Sequence, residues 1–270
     1  MRLETSDHPE LVPVEVVGAS YPSLKGRGVI ITGGGSGIGM YLVEAFCAQG
    51  ARVGFVDINA AAAARVAEVC EAITGNRPAV AIADLRNIAA LQDALCALRK
   101  ETGPIAGLVN NAGNDDRVPA MEVTPDYWDE RMAVNLRHQF FAAQALQPDL
   151  VAANGAIINL GSNSWMQGAA GLIAYTTAKS AIEGLTKSLA REWGGLGVRV
   201  NSVAPGWILT ERQVSRAKAI YADKFDSYLE RQCLKEHLLP PDVARMALFL
   251  AADDSRMITG QTFIVDGGVV

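Results

Sequence analysis

A chain of 270 residues, half of them hydrophobic, is long enough to bury one sizeable core and reads as one domain. A formal net charge of −5 with no basic run excludes a nucleic-acid footprint and points to small molecules or further copies of the chain as partners. The four cysteines, Cys47, Cys70, Cys96 and Cys233, contain no C-x-x-C pair and read as reduced thiols of a cytoplasmic protein.

Residues 1–24 carry Glu4, Asp7, Glu10 and Glu15 with prolines between them, and they lack both a basic start and an apolar run. They read as an N-terminal extension, neither signal peptide nor membrane anchor, ahead of a domain over 25–270. Short apolar runs then recur at 28–31, 53–56, 79–82, 107–109, 156–160, 198–203 and 263–265, separated by helical patterns. That alternation predicts an α/β domain with a doubly wound parallel sheet of about seven strands. Runs that are apolar at successive positions, such as Ala156-Ile157-Ile158, fit strands covered by helices on both faces.

The first strand leads into Thr32-Gly33-Gly34-Gly35-Ser36-Gly37-Ile38-Gly39, and a helical pattern follows with Leu42, Val43 and Phe46. A glycine turn between strand and helix offers backbone amides at a helix N-terminus, which suits the pyrophosphate of a dinucleotide in a Rossmann-type fold. The spacing, Gly33-x-x-x-Gly37-x-Gly39, departs from G-x-G-x-x-G but meets the same demands for a tight turn and close approach. Asp57 closes the second strand eighteen residues past Gly39, where a carboxylate accepts from ribose hydroxyls and repels a 2′-phosphate. Ile58 and Asn59 follow it in place of a cation, so the reading is NAD over NADP, and Asn59 is a candidate cap for the alanine run at 60–64. Asp84 and Leu85 after the third strand either meet the adenine or cap the next helix.

Ser162 follows the fifth strand, thirteen positions before Tyr175, and Lys179 stands one helical turn beyond the tyrosine. Residues i and i+4 share a helix face. An ammonium there would favour the phenolate of a side chain whose ordinary pKa, about 10, is too high for a base at neutral pH. Tyr21 and Lys25 have the same spacing, but Pro22 and Gly26 mark a turn. The segment 207–238 is long for a strand-to-helix connection and rich in charge, and it is either a substrate lid or an extra solvated helical pair.

These motifs in this order resemble the short-chain dehydrogenase/reductase family from about residue 24 to 270. Further matches are Asn110-Asn111-Ala112-Gly113, Asn135 in a helix, Asn201, Pro205-Gly206 and Asp266-Gly267-Gly268. The resemblance implies a catalytic set of Asn135, Ser162, Tyr175 and Lys179: Ser162 orients substrate, Tyr175 is general acid/base, Lys179 holds the nicotinamide ribose, and Asn135 supports a relay water. It implies that Gly33, Ser36, Gly37, Ile38, Gly39, Asp57, Ile58, Asp84, Leu85, Asn111, Ala112, Gly113, Tyr175, Lys179, Pro205, Gly206, Ile208 and Thr210 bind NAD, with no metal site. A homotetramer is the family's common assembly.

The runs 21–26, 111–117, 127–131, 135–138 and 161–165 are similar to those of aldose 1-dehydrogenases within the family. That likeness implies oxidation of a sugar at C1 to the aldonolactone, with Asn114, Ser162, Asn163, Ser164, Trp165, Gln167, Tyr175 and Trp207 around the substrate. Amides, hydroxyls and flat indoles suit a sugar's polar edges and apolar face. Trp165 as a core residue, and Asp115, Asp116 and Arg117 as a solvated loop, stay open at this point. The functional alternatives are a dehydrogenase or reductase of another polyol, hydroxy acid or 3-oxoacyl substrate, or a dinucleotide-binding protein without chemistry. The last would be expected to lack one of Ser162, Tyr175 or Lys179, and none is missing.

Overall fold

The computed structural model describes residues 18–220 and 222–270, with side chains described outside 216–226. Most of the expected N-terminal extension lies outside these residues. Its last part does not behave as a tail, since Pro22–Leu24 form a 3-10 turn and Leu24 is buried in the core.

Seven parallel strands form one sheet in the order β3-β2-β1-β4-β5-β6-β7. They are β1 (Gly28–Thr32), β2 (Arg52–Asp57), β3 (Ala79–Ile82), β4 (Ile105–Asn110), β5 (Ala156–Leu160), β6 (Arg199–Pro205) and β7 (Thr262–Val265). All seven predicted runs are strands, with ends that differ by no more than one residue except at the start of β4 and at the end of β6, which differ by two. Successive residues of one strand feed different cores. Val29 and Ile31 pack with α1 (Gly37–Ala48), α2 (Ala60–Thr74) and α9 (Pro240–Ala251), whereas Ile30 packs with α3 (Ile88–Thr102), α5 (His138–Ala152) and α6 (Ile173–Trp193). This two-sided burial is why the central strands are apolar throughout rather than alternating. The two edge strands are the exception, with Val80 and Ile82 of β3 and Ile264 of β7 exposed.

Local chemistry sets several helix ends. The Asn59 side chain accepts from the Ala62 amide at 3.0 Å, as its cap position predicted, and Thr124 caps α4 (Pro125–Met132) in the same way. Asn135 does not lie in an α-helix. It sits in a π-helical turn, Ala133–Arg137, inserted between α4 and α5, a feature often found at functional sites. The segment after β6 folds as α7 (Glu211–Ile220) and α8 (Ala222–Arg231). Among the described residues no helix is long and apolar enough to cross a membrane.

Strand order reverses between β1 and β4, so the loops leaving their C-terminal ends diverge and leave a crevice there. One cavity of about 790 Å³ occupies that crevice.

Candidate active site

The loops after β1 and β4 are tied together before they reach the cavity. Thr32 Oγ1 accepts from the amides of Asn111 and Ala112 at 3.0 and 3.1 Å. The Asn111 amide nitrogen donates in return to the carbonyls of Thr32 and Gly33. Two glycines are forced by this contact: Gly33 has φ +69°, and a Cβ on Gly39 would stand 1.8 Å from the Gly33 carbonyl oxygen. The backbone can pass this close only without side chains.

Helix α1 then starts at Gly37, and its N-cap residue Ser36 makes no side-chain cap bond. The first amides of a helix have no partner within it and carry the positive end of its dipole. Here they open on the cavity, with Ser36, Gly37, Ile38 and Gly39 in its wall, so the residues present fit a pyrophosphate. Asp57 stands at the end of β2, its carboxylate accepting from the Gly35 amide at 2.7 Å and the Asn59 amide at 2.9 Å. All eighteen residues assigned to the cofactor line this one cavity. Asp84 does so as half of an ion pair, because Arg86 holds both of its oxygens and also reaches Glu130 at 2.8 Å. That guanidinium keeps the Asp84 carboxyl below its ordinary value.

Deeper in the cavity stand Ser162, Tyr175 and Lys179. Ser162 Oγ accepts from the Ser164 amide at 3.1 Å and donates to Ser164 Oγ at 2.9 Å. Lys179 is buried, donates to the Leu160 carbonyl at 2.7 Å, and places Nζ 5.7 Å from the centre of the Tyr175 ring. The expected lowering of the tyrosine pKa is not what the protein groups produce. Burial, then the charge of Asp115, push Tyr175 up to about 12, against smaller opposing effects of Ser162, Arg212 and Arg117. Burial also pulls Lys179 down to about 8, with Asp115 opposing. Desolvation is the largest influence on both groups.

Asn135 lies behind the wall rather than in it. Fully buried, it accepts from the Asn114 amide at 2.8 Å and donates to the Asn114 and Arg131 carbonyls. A Cβ on Gly113 would meet Asn135 Oδ1 at 3.0 Å and Lys179 Nζ at 3.3 Å, so both groups press on the loop from one side.

Of the residues assigned to substrate, Asn114, Ser162, Asn163, Ser164, Gln167, Tyr175 and Trp207 line the cavity; Trp165 does not. It occupies a short 3-10 turn, Asn163–Trp165, whose backbone carries Ser164 inward. Asn163 is also committed elsewhere, its amide donating to Asp266 at 2.9 Å and to Tyr228 at 3.4 Å. The loop at 115–117 is not simply solvated, since Asp115 and Arg117 both line the cavity. Sequence reading gave no role to Arg86 and placed Arg212, Gln213 and Tyr228 only within the segment read as a lid or a solvated helical pair; all four stand in the wall. The charge-rich run after β6 is the signal that marks this segment, Arg212 included.

Residues 33–270 match the family model described as "Enoyl-(Acyl carrier protein) reductase". The chain belongs to the short-chain dehydrogenase/reductase family. Among family members it is 45% identical over 252 residues to the protein named "Probable galactose dehydrogenase GalD" of Rhizobium meliloti, covering 93% of this chain and 98% of that one. The D-xylose 1-dehydrogenase of Caulobacter vibrioides shows the same identity and coverage. A solved structure of a blue fluorescent protein from a metagenomic library, in complex with NADPH, superimposes with a TM-score of 0.84 at 34% identity, over 92% of this chain and 99% of that one. The family binds a nicotinamide dinucleotide, and the residues lining the crevice between β1 and β4 fit such a group.

Proposed function

We propose that this short-chain dehydrogenase oxidises a cyclic aldose at C1 to the aldonolactone, with NAD as the hydride acceptor. The observation that carries the reading is the wall around Tyr175, where Asn114, Asp115, Ser164, Gln167 and Gln213 share one cavity with Ser162. A steroid or fatty acyl chain needs aliphatic lining, and a polyhydroxy substrate needs this polar one. The names of two relatives at 45% identity, a galactose dehydrogenase and a D-xylose 1-dehydrogenase, support it.

Asp57 supports NAD over NADP, because a 2′-phosphate would meet a carboxylate already fixed by Gly35 and Asn59. Arg86, a cation of the cavity wall next to Asp84, is engaged by Asp84 and Glu130.

A bound oxidised nicotinamide would supply the hydride acceptor and a positive charge that favours ionisation of the phenol. Tyr175 Oη takes the proton of the C1 hydroxyl as the C1–O bond gains double-bond character. Ser162 Oγ turns from Ser164 to the same oxygen and holds it in line. Lys179, anchored on Leu160, keeps its remaining donors for the ribose and its charge beneath the phenol. Asn135 fixes the backbone of Asn114 so that the loop shaping this corner does not yield.

We read the assembly as a homotetramer of the cytoplasm. Phe140 and Phe141 on α5 remain partly exposed in one chain, and all four cysteines are free thiols. Incubation of the protein with NAD and a panel of pentoses, hexoses and matched hydroxy acids tests the reading. Reduction of NAD with aldoses and not with hydroxy acids is expected; activity confined to acyl thioesters or steroids would overturn it.

A further inference from the structure

At the mouth of the cavity the loop after β4 and the first turn of α7 are joined through one carboxylate. Gln213 Nε2 donates to Asp115 Oδ2 at 2.8 Å, and Arg212 lies 3.5 Å from Asp115 Oδ1 while donating to Asn114 Oδ1 at 2.8 Å. The orientation of Gln213 is itself fixed, because its Oε1 accepts from the Trp207 indole at 3.1 Å. Trp207 is held in turn by its backbone bond to the Tyr228 hydroxyl at 3.0 Å and by an edge-on ring contact at 5.5 Å. A carboxylate on a loop is thus held by two side chains of a distant segment, Gln213 and Arg212.

The position of Asp115 works against the base. Its charge reaches Tyr175 and opposes ionisation of the phenol, and Arg212 and Arg117 offset it. A group that opposes the chemistry and needs compensation marks a second requirement of the site. We propose that Asp115 is the specificity-determining residue that receives the sugar hydroxyls remote from C1, and that Arg212 and Gln213 are its positioning residues.

A carboxylate accepts from several donors at once, so hydroxyl groups can join Gln213 and Arg212 on the same two oxygens. Two neighbouring hydroxyls of a pyranose match that geometry, and the guanidinium beside it donates to their oxygens. A deoxy analogue leaves one acceptor position of this carboxylate unfilled inside the site, which discriminates more sharply than an apolar contact. The proposal rests on the aldose reading and adds to it which residue reads the hydroxyl pattern.

The test is kcat/KM for an aldose and each of its monodeoxy analogues, with wild type, D115N, R212M and Q213L, and the KM for NAD in parallel. D115N is expected to lose about ten- to a hundred-fold on the parent sugar, to leave the KM for NAD unchanged, and to erase most of the wild-type penalty for one deoxy position. R212M and Q213L should weaken discrimination at that same position and add little to D115N in the double variants, as coupled residues do. Q213L carries the test alone if D115N does not fold. Equal losses on the parent sugar and every analogue would overturn the proposal while the aldose reading stands. A wild-type enzyme inactive on all aldoses would overturn both.

Discussion

The side chain of Asn135 grips the backbone of Asn114 from both sides, accepting its N–H at 2.8 Å and donating to its C=O at 3.1 Å. This pairing gives the loop after β4 the regularity of a strand without a strand neighbour, and it comes from a π-helical turn that sets the amide one residue off α-helical phase. Asn135→Ala would strand two polar backbone groups at about 1–3 kcal/mol. A lower melting temperature, by several degrees, is expected together with a reduced kcat, and an unchanged melt would show that the loop does not depend on this grip.

Tyr175→Phe removes the transferable proton and keeps the ring above Lys179. Turnover should fall about 10²–10⁴-fold, the usual contribution of a positioned acid/base, with NAD affinity by fluorescence titration nearly the same. A variant with most of the wild-type rate would exclude Tyr175 from proton transfer.

Asp57→Ala should raise the KM for NAD about tenfold or more through loss of a charged acceptor, and should narrow the preference over NADP. Part of the loss is structural, because the Gly35 and Asn59 amides also bond to this carboxylate. Parallel saturation curves with both cofactors measure it; a wild type that already prefers NADP contradicts the reading of this strand end.

How much of this was legible from sequence follows from the range over which each feature is determined. Gly33, Gly39, Asp57, Tyr175 and Lys179 announce themselves through spacing along one turn, one strand end and one helix face, and the fold brings them to one cavity. Trp165 misled because composition says nothing of which way a residue in a 3-10 turn faces. The pairing of Gln213 with Asp115 and of Asn163 with Asp266 joins segments 98 and 103 residues apart, with no local pattern to betray it. The upward push on Tyr175 escaped for a related reason: the i+4 lysine is visible in the sequence, whereas the burial that raises the phenol is tertiary.

Burial also holds His138 neutral, pulled down to about 4 by desolvation first and the charge of Lys179 second. The unfolded chain binds a proton on this residue near its ordinary value of 6.5, so between the two values the unfolded state holds more protons and stability falls as pH drops. The contribution is of the order of 3 kcal/mol, complete above about pH 6.5 and lost by about pH 4. Urea melts across this range should show that loss in wild type and a flatter profile in His138→Gln; parallel profiles would mean that the imidazole is already charged in the fold.

The central claim, hydride removal from C1 of an aldose with Tyr175 as base, is tested most directly with a sugar deuterated at C1. Incubated with the enzyme and NAD, it should yield reduced cofactor carrying the deuterium by mass spectrometry and an aldonolactone by NMR, and Tyr175→Phe should yield neither at a comparable rate. Reduced cofactor without deuterium, with the label retained in an oxidised sugar, would place the chemistry at another carbon and contradict the account.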